Sequence, residues 1–184
     1  HEGRGLAAGD RLPAGVPGAA PRLPAGGFGV SPPVGAPLPG GGPTTVRVIP
    51  AAQHDRFPAE ARDAFWRTEW RMLPDSNRMG VRLDGPALIP SERVELLSHG
   101  ILPGVVQVPP AGRPMIQLRD ANTCGGYPKM GVVIGADLWR LGQMRLGGAL
   151  RFTEATRAEA LAALTVNNRF LSDVAQAARR AQRA

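Results

Sequence analysis

Between Thr44 and Phe152 no apolar pattern is sustained for long. Val46-Arg47-Val48-Ile49, Trp70-Arg71-Met72-Leu73, Val81-Arg82-Leu83, Val105-Val106-Gln107-Val108, Met115-Ile116-Gln117-Leu118, Met130-Gly131-Val132-Val133-Ile134 and Ala149-Leu150-Arg151-Phe152 are each short and strand-like. Proline, glycine and polar turns separate them, with Pro50 closing the first. Strands this short and this often interrupted predict a barrel or sandwich rather than a parallel α/β sheet. Pro109-Pro110-Ala111-Gly112 predicts a hairpin between its flanking strands, and Pro74-Asp75-Ser76-Asn77 and Asp84-Gly85-Pro86 predict turns.

Helices are few, so the expected class is mainly β with an α+β character. Pro58 suits a first helical turn, and Ala61, Ala64 and Phe65 give residues 58–67 one apolar face. A short helix is expected over 136–143 with Asp137 near its start. Thr156-Arg157-Ala158-Glu159 fits a capping box, in which hydroxyl and carboxylate each serve the other's backbone N–H. Leu161, Leu164, Leu171, Val174 and Ala178 follow at helical spacing, and Asn167-Asn168 is a candidate break.

The 184 residues suffice for one ordinary domain with a real core, or one domain and a tail. Residues 11–44 are dominated by Gly, Pro and Ala and read as a linker. The barrel is expected over 45–153 and a helical tail over 154–184, while 1–10 begin as if continuing an earlier segment. No apolar run approaches the roughly 20 residues of a membrane span, so a cytoplasmic protein is expected. A single cysteine agrees with a reducing compartment, and three scattered histidines suggest no metal site. The net charge of +7 comes from arginines that alternate with acids, and the block at Arg179-Arg180 suits a helix C-terminus. Nucleic acid is therefore not the expected partner.

The only lysine, the only tyrosine and the only cysteine fall together in Cys124-Gly125-Gly126-Tyr127-Pro128-Lys129. Where arginine has displaced every other lysine, a retained one suggests that a compact, titratable ammonium is required. Around it lie Asp120, Asn122 and Thr123. The two glycines permit close backbone approach or positive φ, so amide groups can converge on an anion. Cys124 as a nucleophile needs a histidine partner that its sequence neighbours do not supply, and it reads better as a small, semi-buried residue. Arg78, in a second polar turn, can fork onto a carboxylate, and Gln107 can read an amide through its paired donor and acceptor.

Three stretches in order resemble the biotin-dependent carboxyltransferase family, also described as allophanate hydrolase subunit 2, which includes the C subunit of 5-oxoprolinase and the carboxyltransferase domain of urea carboxylase. They are Pro74 to Gly85, Ser98 to Pro109 and Asp120 to Gly131, supported by His1-Glu2-Gly3-Arg4 and Val46 to Pro50. Asn122 stands where the family usually has glutamine, and Cys124 where it has threonine. The resemblance implies a cyclophilin-like β-barrel. It also implies that the chain is the C-terminal part of a protein about twice as long.

The first function this implies is a share in the ATP-dependent hydrolysis of 5-oxoproline to glutamate, with partners like the A and B subunits of 5-oxoprolinase and with ATP bound here or by a partner. Lys129 would hold the negative charge with backbone donors near Gly125 and Gly126, and Asp120 would orient water or act as base. Arg78, Gln107, Asn122, Thr123 and Tyr127 complete the expected substrate contacts. A second implied function is carboxyl transfer from carboxybiotin, held on a separate carrier, to urea or a related amide. A third is a non-enzymatic one, binding and antagonising a kinase-inhibitor subunit.

Overall fold

The structure, a computed structural model, describes residues 6–16, 42–92 and 94–181. Most of the expected linker therefore lies outside the described residues, as do residues 1–5. The chain divides into two compact units, one over Pro32–Phe170 and one joining His1–Ser31 to Leu171–Ala184. Within the second, Asp10 caps a local turn by accepting the Ala7 N–H at 2.8 Å.

Seven strands of the larger unit close into a barrel. They are β1 (Thr44–Pro50), β2 (Trp70–Met72), β3 (Gly80–Asp84), β5 (Val105–Gln107), β6 (Met115–Gln117), β8 (Lys129–Val133) and β9 (Ala149–Glu154). Around the barrel the order is β1-β8-β5-β6-β3-β2-β9, and a parallel β1–β9 pairing closes it. A separate ribbon pairs β4 (His99–Gly100) with β7 (Cys124–Gly125). All seven runs picked out in the sequence are strands, and Pro50 is the last residue of β1 rather than lying beyond it.

Period-two alternation explains which side chains fill the barrel. In β1, Val46 and Val48 are wholly buried while Thr45 and Arg47 are not. In β3, Val81 and Leu83 point in and Arg82 out, and in β9 Leu150 and Phe152 do the same around Arg151. The hairpin between β5 and β6 forms as predicted, with Val106 opposite Ile116. Gly112 closes it at φ +76°, a conformation open to glycine at little cost.

Helix α1 (Ala59–Arg67) begins directly after Pro58. Its Phe65 ring stacks on Phe152 at 4.5 Å, and Trp70 Nε1–H donates to the Phe65 carbonyl at 3.1 Å. A single 3-10 turn over Gly135–Asp137 leads into α2 (Leu138–Gly142). Asp137, wholly buried, accepts from the Arg47 backbone N–H, from Arg47 Nε at 2.9 Å and from Arg47 Nη2 at 2.7 Å, clamping this turn to β1.

Helix α3 (Arg157–Ala181) opens with the expected capping box. Thr156 N–H reaches Glu159 Oε2 at 2.7 Å, and Glu159 N–H reaches Thr156 Oγ1 at 3.2 Å. The candidate break does not occur. The helix runs unbroken through Asn167-Asn168, and Asn167 Nδ2 donates to the Ala136 carbonyl at 3.1 Å, so the asparagine tethers the rod instead of ending it. The residues at helical spacing do lie on a helix, and Leu161 and Leu164 are 56% and 44% exposed on it. Ala160 and Ala163 pack against Ile134, Ala136 and Ala155, because small side chains allow the helix to approach closely. No helix among the described residues is long and apolar enough to cross a membrane.

Candidate functional site

Strand β8 pairs with β5 through an irregularity. Val106 lies opposite Gly131, but Gln107 lies opposite Lys129, so Met130 is the extra residue of a β-bulge. Regular pairing would have set Gln107 against Met130 and turned Lys129 to the other face. The bulge instead brings the Lys129 ammonium and the Gln107 amide to one face of the sheet.

Both groups are buried. Lys129 is 8% exposed and Gln107 is 3% exposed. Lys129 Nζ donates to the Tyr127 carbonyl at 3.1 Å, and the Lys129 backbone N–H donates to Gln53 Oε1 at 3.2 Å. No carboxylate pairs with this ammonium among the described residues. Burial pushes its pKa below the ordinary lysine value, since desolvation penalises the charged form. An unpaired buried cation is costly to the fold, and such groups concentrate where a ligand is to be held.

Gln107 completes the donor set. Its Oε1 accepts from Gln117 Nε2 at 2.8 Å, while its own Nε2 is buried and has no hydrogen-bond partner. That amide nitrogen lies against Gly125, the first of the two glycines. A Cβ at Gly125 would come within 2.6 Å of Gln107 Nε2, and one at Gly126 within 2.8 Å of the Leu96 carbonyl oxygen. Neither glycine has positive φ, so close approach rather than backbone conformation explains both.

The remaining predicted residues do not all gather at this pair. Gly125 is paired with His99 in the β4–β7 ribbon, and the Thr123 carbonyl accepts the Ile101 N–H at 2.9 Å. Asn122 and Thr123 are exposed at its edge. Tyr127, 45% exposed, joins Gly126 and Pro128 in lining a groove of about 980 Å³ together with Ile89, Leu96 and Pro109. Arg78 and Asp120 meet each other at 3.3 Å on exposed turns, and no hydrogen bond or ion pair among the described residues joins them to Lys129. Cys124 is exposed rather than semi-buried. It sits opposite Gly100 while His99 sits opposite Gly125, so thiol and imidazole project to opposite faces of the ribbon and form no dyad.

Gln53 and Gln117 were missed in the sequence. Gln117 had a signal, as a polar residue within an otherwise apolar strand run; Gln53 lies in a polar turn and had none. Among the described residues no three His, Cys, Asp or Glu side chains are grouped to hold a metal ion.

This arrangement places a cation and a buried, unpartnered amide N–H on one sheet face, with the Gly125 backbone packed against the amide. It suits a ligand oxygen carrying full or partial negative charge. Known proteins place it further. The chain is 42% identical over 130 residues to the 5-oxoprolinase C subunit of Escherichia coli, a match that covers 71% of this chain and 42% of that protein. It is 40% identical over 129 residues to the 5-oxoprolinase C subunit of Haemophilus influenzae, covering 70% and 42%. The chain thus spans less than half the length of these relatives. Among solved structures, the Kluyveromyces lactis urea carboxylase superposes with a TM-score of 0.57 at 25% identity, over 67% of this chain and 12% of that one. Residues 1–154 match the family described as carboxyltransferase domain, subdomain A and B. The barrel, the glycine loop and this match agree, and the chain belongs to the carboxyltransferase-domain family.

Proposed function

We propose that this chain works within a protein like the C subunit of 5-oxoprolinase, which acts with partner subunits in the ATP-dependent hydrolysis of 5-oxoproline to glutamate. The observation that carries the reading is the buried Lys129–Gln107 donor pair beside Gly125. The similarity to two 5-oxoprolinase C subunits supports it. Two donors on the lactam oxygen draw charge from the carbonyl carbon and hold the negative charge that water attack creates. Because they are fixed by the barrel before substrate arrives, little reorganisation is needed. Tyr127 stands at the rim as a substrate contact. A base's role for Asp120 requires its release from Arg78, which then becomes free to fork onto the substrate carboxylate. ATP is assigned to a partner protein, and the complex to the cytoplasm.

The family description and the urea carboxylase likeness favour a second reading, carboxyl transfer to an amide from carboxybiotin on a separate carrier. The same donors fit the ureido oxygen of biotin, and Lys129 and Gln107 would hold it. Biotin supplies the carboxyl group, and this chain supplies charge stabilisation on that oxygen.

The discriminating experiment uses purified protein with its partner subunits. Glutamate formation from 5-oxoproline and ATP is expected, and Lys129→Ala should lower kcat about 100-fold while the complex still forms. Absence of glutamate together with carboxybiotin consumption would replace the first reading with the second. Complex formation without turnover of either kind would leave the binding role, antagonism of a kinase-inhibitor subunit.

A further inference from the structure

Gln107 can serve an oxygen ligand only if its amide presents nitrogen rather than oxygen to the glycine loop. Nothing in the Gln107 side chain itself selects that orientation, because a carboxamide is nearly symmetric in shape. The selection comes from β6. Gln117, 5% exposed, donates its Nε2–H to Gln107 Oε1 at 2.8 Å, which leaves Nε2 directed at Gly125. The two glutamines are diagonal neighbours across the β5–β6 hairpin, where Gln107 pairs with Met115 two residues before Gln117.

We propose that Gln117 is a positioning residue that fixes the donor polarity of this site, so that the site accepts an oxygen acceptor, a carbonyl or carboxylate, and rejects a ligand that presents N–H there. The inference rests on the reading of Lys129 and Gln107 as the ligand-binding pair. The asymmetry is large because a buried polar group left facing another of its own kind loses its hydrogen bond and keeps its desolvation cost. Lys129 reinforces the selection, since its ammonium is also a donor and offers no acceptor.

The test uses the full chain labelled with nitrogen-15 and 5-oxoproline as the probe. Gln117→Met keeps side-chain length, adds no charge and removes the donor. Gln117→Glu supplies an acceptor only and should turn the Gln107 amide over. In the wild type the Gln107 side-chain NH₂ signals should move on adding the probe. Affinity should fall about fivefold in Gln117→Met and at least about tenfold in Gln117→Glu, in line with the loss of one hydrogen bond. Loss, in the ligand-free variants, of the nuclear Overhauser contacts between the Gln107 NH₂ protons and Gly125 would report the altered amide directly, which a change of packing around an unturned amide does not predict. Binding by Gln117→Met within twofold of the wild type would overturn the positioning role while leaving the site itself standing. If the wild type bound no probe, the reading of the site would fail, and the ligand-free signals would still decide the role of Gln117. Undiminished contacts between the Gln107 NH₂ protons and Gly125 in Gln117→Met would then overturn it, and their loss would support it. Should the buried carboxylate of Gln117→Glu prevent folding, Gln117→Met carries the same decision.

Discussion

At the scale of single residues, Lys129 sets charge against burial. Its ammonium is buried with one carbonyl partner and no acid among the described residues. Lys129→Met should therefore stabilise the chain, by about 1 kcal/mol, as replacing a buried charge that lacks an acid partner with an apolar side chain removes its desolvation cost. Urea denaturation would measure this. The pH dependence follows from the lowered pKa. Just below the ordinary lysine value the unfolded chain still holds the proton that the folded chain has released, so wild-type stability gains on Lys129→Met as pH rises through that window. A Lys129→Met variant less stable than the wild type at neutral pH would contradict the placement of the ammonium. The rarity of this lysine in the sequence pointed to it. Its burial, and the partner it acquires in Gln107, could not be read there, because both depend on which strand lies beside β8.

At the scale of elements, the turn before α2 is held by charge as well as by apolar packing. Burial alone would raise the Asp137 pKa, but hydrogen bonds from the Arg47 side chain and backbone, with the nearby charges of Arg47 and Arg140, hold it below the ordinary carboxylate range. Asp137→Ala should cost about 3 kcal/mol, since it strands a partly buried guanidinium and frees the β1 contact. The stability that Asp137 contributes is complete above the ordinary carboxylate range and is lost as pH falls through its lowered value. The gap between wild type and Asp137→Ala should accordingly narrow in acid, as urea titrations at neutral and acidic pH would show. The sequence placed Asp137 at a helix start but gave no hint of Arg47, ninety positions away. Helix α3 shows the opposite failure: its leucine spacing was legible, yet the packed face is Ala160 and Ala163. Periodicity reports a face, and only the neighbouring surface decides which face is used.

For the whole molecule, the closed barrel has no free edge, so its core is shared by every strand. Phe65 ties α1 to that core through Phe152 and is wholly buried. Phe65→Ala should cost about 4 kcal/mol and lower Tm in a single cooperative transition, the usual result of emptying a large aromatic site. Thermal unfolding followed by circular dichroism would check it, and two separated transitions would show that α1 folds apart from the barrel.

The sequence by itself determined the short strands, the hairpin at Gly112, the helix starts and the capping box, since each rests on residues close together in the chain. Period-two alternation and turn chemistry are local, and so they are written locally. It also marked Tyr127 and Lys129 by their rarity, and Gly125 and Gly126 by their place beside them. The tertiary structure alone decided how they are arranged. A single extra residue at Met130 turns Lys129 to the face of Gln107, and Gln117 on a third strand orients the amide that meets Gly125. Register and bulge are set by strand pairing across the barrel, an energy summed over contacts remote in sequence, and no local pattern records it.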